Sequence, residues 1–278
     1  MTKYKAILAL IITMIISAVI FVYSLPGSEL TEKQAMIALF GNYNDNNKNS
    51  LWENMNIPEK DTNSFFSNKT GIVSTIFFQY YKESGQKKYF LITQTIPTDI
   101  YFQCHACYPL ISAAIFSKPN GHWKIEAQNL FVMYDGEYGE PPKVEMIRIG
   151  NDKFAAKLEY ERHTGLFVET EISLLVPHQN HIENSYKQVI YYDNFTDCGS
   201  VQQCAAYKAE IDFDKSTKDN FYIIKTTRFG TELDNKQDNI AIPIDEKSVY
   251  QFQNGKYVQI SGIRSPKAMY NIDESYCR

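Results

Sequence analysis

Positive charge is nowhere concentrated in this sequence. Its 28 Lys and Arg residues stand against 32 Asp and Glu, a formal charge of −4, and no basic cluster carries interleaved aromatics. A nucleic-acid partner needs such a stripe to neutralise phosphates, so that class is set aside. The Gly-x-Ser-x-Gly elbow, the P-loop, the dinucleotide fingerprint and the His-Glu-x-x-His helix are all missing as well. No residue pattern names a reaction, so the favoured reading is a non-enzyme without a cofactor or a metal. Low-complexity tracts and internal repeats are absent too, and the chain contains a single long apolar run.

That run covers residues 6–23, in which only Thr13 and Ser17 are polar, and it follows Lys3 and Lys5. At about 1.5 Å per residue it nearly reaches across a hydrocarbon core of roughly 30 Å. It is longer than the usual signal-peptide apolar region of about 7–15 residues. Val22 and Ser24 nevertheless offer small residues at −3 and −1, so residues 1–27 read as an uncleaved anchor or a cleaved signal peptide. Either way the lysines stay on the cytoplasmic side and the remainder is exported. The expectation is a protein held in the inner membrane by residues 6–23 and facing the periplasm, or one released as a periplasmic or secreted domain.

Residues 28–70 form a short helical and loop region. "TEKQAMIALFG" has capping-box spacing at Thr31 and Gln34, with Gly41 as the stop. "NYNDNNKNS" is loop, and "SLWENMNIP" suggests a further helical turn ahead of Pro58. From Gly71 the pattern becomes β: runs such as "IVSTIFFQYY", "YFLITQT" and "NFYIIKTTRF" are rich in aromatic and β-branched residues and are separated by turn signals. Residues 71–278 therefore read as a mostly β, antiparallel meander: a sandwich, an open barrel or a partial propeller. Asn254-Gly255 suits a two-residue type I′ turn, and Asn120-Gly121 repeats the device beside Pro119.

In "FAAKLEYERHTGLFVETEISLL" a three-residue loop, His163 to Gly165, gives the cleanest alternation. Phe154, Ala156, Leu158 and Tyr160 then share a face with Val168, Thr170, Ile172 and Leu174. The other face carries Lys157, Glu159, Glu161, Glu169 and Glu171, with Phe167 as the apolar exception. This predicts a solvated acidic face on which Glu159 lies across from Glu169. A general acid needs burial, so paired-carboxylate catalysis is disfavoured there. A docking face for a cationic protein is the more specific expectation.

The sequence has 5 cysteines: Cys104, Cys107, Cys198, Cys204 and Cys277. In an oxidising compartment the default is disulfides, and local pairing of Cys104 with Cys107 and of Cys198 with Cys204 is the simplest arrangement. Cross-links between the two pairs are the alternative. The Cys104-His105-Ala106-Cys107 motif also has a redox reading. In thioredoxin-like sites such a motif follows a strand and opens a helix, whose N-terminus lowers the first thiol's pKa. "PLISAAIF" could supply that helix, although Pro109 and the β-branched residues also permit a strand. The c-type haem motif fails because position 108 is Tyr. A four-cysteine zinc site would compete with oxidation. His178, His181 and Glu183 are spaced for a metal on a helix but follow "ISLLVP" and read as loop. Asp45, Asn47 and Asn49, and likewise Asp212, Asp214 and Ser216, alternate as calcium ligands do, without the Gly and Glu that an EF-hand loop requires.

The function expected is a non-catalytic β-rich binding protein of the cell envelope, inhibitor- or immunity-like, whose partner is a cationic protein or a glycan. An envelope thiol–disulfide oxidoreductase using Cys104 and Cys107, or a metal-binding envelope protein, is the alternative.

Overall fold

The computed structural model describes residues 29–55, 57, 66, 69–98, 101–195, 198, 203–216, 220–234 and 240–264. The hydrophobic segment 6–23, Pro58 and Cys277 lie outside the described residues. Among the described residues no helix is long and apolar enough to cross a membrane. Among the described residues the fold is mostly antiparallel β, in two open sheets with one α-helix.

The helix, α1, spans Glu32–Phe40. Thr31 Oγ1 accepts the Gln34 N–H and the Gln34 side chain accepts the Thr31 N–H, so the capping box forms in both directions. Gly41 ends the helix in the left-handed region, at φ 80°, where a side chain would be strained. The next element differs from the expected helical turn. Asn49–Trp52 is a strand, β1, with Leu51 paired to Ile72. Four residues are too few to nucleate a helix, and the neighbouring strand offers them backbone partners.

The chain divides into two compact units. The first runs to Phe102 and takes in Leu110–Phe131 and Gln179–His181; the second comprises Gln103–Pro109, Val132–His178 and the chain from Ile182 onward. The sheet of the first unit has the order β1, β2 (Gly71–Glu83), β3 (Gln86–Pro97), β4 (Leu110–Ser117), β5 (Lys124–Tyr134). Thus β1 pairs with this sheet and α1 packs on it. Ala35, Met36 and Phe40 of α1 pack with Val73, Leu91, Ala114, Phe116 and Trp123. All eight residues of β4 are buried. The β4–β5 connection is wider than a two-residue turn: Pro119–Gly121 forms a short 3-10 turn, since proline cannot extend the ladder beside Asn120.

The second sheet has eight strands in chain order. They are β6 (Lys143–Gly150), β7 (Lys153–His163), β8 (Val168–His178), β9 (His181–Asp193), β10 (Ala206–Asp214), β11 (Ile223–Asp234), β12 (Ile240–Gln253) and β13 (Lys256–Arg264). It curls until the end of β6 meets the segment leading into β11: Tyr222 N–H donates to Ile149 O at 2.7 Å and Asn151 N–H to Asn220 O at 3.0 Å. Gly150 sits at that closure, where a Cβ would run into Asn220 O. The curl gathers Ile149, Ala155, Ile172, Leu174, Val176, Tyr186, Ile224 and Tyr257 into one core. Asn254 and Gly255 both adopt positive φ, 49° and 86°, as the type I′ turn requires.

The register of β7 and β8 corrects the expected one. His163 pairs with Val168, Arg162 with Glu169, Tyr160 with Glu171 and Glu159 with Ile172. The loop is Thr164–Phe167, held by Phe167 N–H on Thr164 Oγ1 at 3.0 Å. Parity is reversed, so Glu169 and Glu171 lie on the face of Tyr160 and Arg162, and Glu159 and Glu161 lie on the face of Ile172. The physical reason is the burial of β8 on both sides from Glu171 to Val176. A doubly covered strand carries no alternation by which a register can be read.

Candidate functional site

Both local disulfides are present, Cys104–Cys107 and Cys198–Cys204. Each lies in a different part of the second unit.

Cys104 to Cys107 is a tight turn, with Cys107 N–H on Cys104 O at 2.9 Å. It is followed by extended chain and then strand β4, so the helix that a thioredoxin-like site needs is not formed. Instead the segment 103–109 straps down on residues 135–139. Tyr138 N–H donates to Cys104 O at 3.1 Å, Gly139 N–H to Cys107 O at 2.9 Å and Asp135 N–H to Pro109 O at 3.1 Å. The His105 ring stacks on Tyr138 at 5.5 Å. Beneath the strap lies Glu137, 3% exposed. Its Oε1 is 3.1 Å from His105 Nδ1 and 3.7 Å from Arg162 Nε.

Arg162 also pairs with Glu169 at 3.1 Å and covers the Tyr108 ring at 5.9 Å. Glu171, buried, meets Lys187 at 2.8 Å. Burial, reinforced by the Glu171 charge, pushes Asp135 up to about 6. Burial also raises Glu169 in spite of Arg162, and burial with the Glu137 charge raises Tyr160. Glu169 and Glu171 are therefore structural ion-pair members, not solvated docking groups. Glu159 and Glu161 stay more open, bonded to Lys157 and His163. The four glutamates do not form one surface.

The metal readings find no geometry. Asp214 accepts from Ser216 N, Ser216 Oγ and Lys225, at 2.9, 2.5 and 2.7 Å. Asp45 meets Lys33 at 2.6 Å. His178 and His181 flank a two-residue strand turn, where His178 packs edge-on to Phe252 and His181 Nε2 lies 3.1 Å from Asn129 Nδ2. Among the described residues no three His, Cys, Asp or Glu groups converge on a metal position.

The second cluster was not singled out in the sequence. In an antiparallel meander alternate connections emerge at the same end. At one end of this sheet the turns are short: Asn151-Asp152, Gln179-Asn180 and Asn254-Gly255, with the longer β10–β11 link beside them. At the opposite end are the β7–β8, β9–β10 and β11–β12 loops. These carry or adjoin Leu166, Phe195 and Ile240, which are 54, 47 and 41% exposed. The middle loop is fixed at its base. Buried Asn194 accepts Ala205 N–H at 2.6 Å and donates to Gln203 O at 3.1 Å, and the Cys198–Cys204 bridge closes the loop above it.

Next to these loops runs a ladder of flat groups. Phe167 and Tyr192 have ring centroids 5.6 Å apart, Tyr192 stacks on its cross-strand partner Tyr207 at 5.5 Å, and the Arg228 guanidinium lies 4.6 Å from the Tyr207 centroid. Arg228 in turn bonds Glu232 at 3.0 Å and Glu246 at 2.8 Å.

No protein-family model, curated protein or solved structure matches this chain. The assignment of a role therefore rests on the geometry alone. The one sequence signal for the loop end was the spacing of Cys198 and Cys204, read only as a bridge. The ladder joins residues up to about sixty positions apart and leaves no local pattern.

Proposed function

We propose that this chain is a non-catalytic binding protein of the cell envelope, tethered or exported by its leader, that engages a protein partner through the loop end of its second sheet. The curled sheet acts as an open-barrel scaffold. The observation that carries this reading is the asymmetry of the sheet's two ends: short turns at one, and at the other longer loops, of which β9–β10 is pinned by a disulfide, with Leu166 of the β7–β8 loop and Phe195 of the β9–β10 loop standing in solvent. Exposed apolar side chains on loops carried by a sheet scaffold are the usual makings of a recognition surface. Glu161, Asp193 and Asp234 lie at or near the ends of the strands leading into those loops, which suits a cationic partner steered by charge. Two disulfides favour an oxidising compartment. The thiol-exchange enzyme loses its main structural support, because the segment after Cys107 is strand β4 and not the helix that such a site opens.

The test is a pull-down and chemical cross-linking of the exported chain from its own envelope fraction. Leu166→Asp with Phe195→Asp is expected to remove the captured partner while leaving the melting curve unchanged. Ile263→Asp, on edge strand β13, is expected to change neither. Capture that survives the loop-end double variant overturns the proposal.

A further inference from the structure

The two main-chain carbonyls that receive Tyr138 N–H and Gly139 N–H are those of the two bridged cysteines themselves, Cys104 and Cys107. The covalent ring thus sets the spacing of the acceptors that hold the strap in place. The bridged thiols differ in access: Cys107 is 1% exposed, whereas Cys104 is only partly covered. The bridge spans a sequence separation of 3, so it restrains little of the unfolded chain and can open without undoing either sheet.

From this we infer that the Cys104–Cys107 bridge is a thiol-exchange site for an external dithiol, and that its reduction releases the strap from Glu137. A thiolate of the dithiol attacks Cys104 Sγ and forms a mixed disulfide. The Cys104–Cys107 bond breaks, its electron pair leaves on Cys107, and that thiolate takes a proton. The second thiol of the reductant then attacks its own sulfur in the mixed disulfide and frees Cys104 as a thiol. The chain gains two electrons and two protons, and the dithiol becomes a disulfide.

With the ring open, the Cys104 and Cys107 carbonyls are no longer held at the spacing of Tyr138 N–H and Gly139 N–H. His105 leaves the Tyr138 ring, and Glu137 comes into contact with solvent. The groups facing Glu137 are His105 on the strap and Tyr160 and Arg162 on β7; Asp135, on the same segment as Glu137, also acts on Tyr160. The strap is thereby a redox-controlled cover over a charged site, and this holds whether or not the loop end binds a protein.

The test uses the exported chain with Cys198→Ser and Cys204→Ser, so that one described bridge remains, and dithiothreitol as the probe. Alkylation with mass spectrometry is expected to label Cys104 and Cys107 after reduction. Amide exchange at Tyr138 and Gly139 is expected to accelerate at least tenfold, with β7 and β8 unchanged and protection restored on reoxidation. A Cys104→Ser, Cys107→Ser variant with the other bridge intact is expected to show the same fast amides without reductant, which guards against misfolding of the first variant. The proposal is overturned if the thiols become labelled while Tyr138 and Gly139 stay protected, if β7 and β8 open together with them, or if the bridge resists reduction in the folded chain.

Discussion

Asn194 and Ala205 are bonded twice, the Ala205 N–H reaching Asn194 Oδ1 at 2.6 Å and the Asn194 N–H reaching Ala205 O at 3.2 Å. Asn194 is fully buried, so water cannot replace what its amide supplies. Asn194→Ala strands the Ala205 N–H, and we expect a loss of about 1–3 kcal/mol in urea unfolding. Limited proteolysis should then cut first between residues 195 and 205. A stable variant with an intact loop would show that the disulfide alone holds this segment.

A pH dependence follows from Asp135. Its carboxyl rises from 3.8 to about 6 in the folded chain through burial and the Glu171 charge. A carboxyl raised on folding contributes stability that is fully present below its unfolded pKa and is lost as pH rises through the folded value. The chain should therefore lose on the order of 1–3 kcal/mol from this group between about pH 4 and pH 7. Asp135→Asn keeps the acceptor for Gly136 N–H and removes the charge. The variant should melt above the parent at pH 8 and level with it near pH 3; equal melting temperatures at both values would refute the assignment.

Lys88 in the first unit lies between Glu83, at 2.5 Å, and Glu126, at 2.6 Å, and both Lys88 and Glu83 are buried. Burial pulls the ammonium pKa down, but the two carboxylates outweigh it and raise it. Lys88→Met leaves Glu83 buried without its cation, at a cost of roughly 3–5 kcal/mol at neutral pH. Calorimetry at pH 7.5 measures the loss, and a deficit below about 1 kcal/mol would show that the buried pair contributes no more than a surface ion pair.

Gly150 marks where the curled second sheet comes back on itself. A Cβ at this position runs into Asn220 O, which is main chain and cannot swing aside. Gly150→Ala is expected to cost about 1–3 kcal/mol by overpacking and to speed amide exchange at Asn151 and Tyr222, the two donors across that junction. Unchanged exchange there would mean the closure is not what the glycine serves.

Local chemistry was legible in the sequence. The Thr31–Gln34 box, the Gly41 stop, the Asn254-Gly255 turn and the two short cysteine pairs each depend on residues a few positions apart. What failed depended on covering layers that the sequence does not display. "LISAAIFS" is equally apolar on both sides, so its periodicity could not separate helix from strand. "VETEISLLVPH" hides its register for the same reason, and with it the split of the four glutamates between two faces. Trp52 became part of a strand because Gly71 lies opposite it, a neighbour nineteen positions away. The Phe167–Tyr192–Tyr207–Arg228 ladder needs three strand pairings to be right before it can be seen at all.

The uneven lengths of the second sheet's connections bear on how such a chain can change. Two-residue turns tolerate neither insertion nor most substitutions without shifting the strands they join, so three of the four links at that end fix the scaffold's geometry. The connections at the opposite rim are longer, and the central one is tied at its base by Asn194 and a disulfide, so its sequence between the two cysteines can vary without moving the strands. Sequence change would accumulate on that rim first, leaving the frame beneath it recognisable by its shape long after its sequence had drifted.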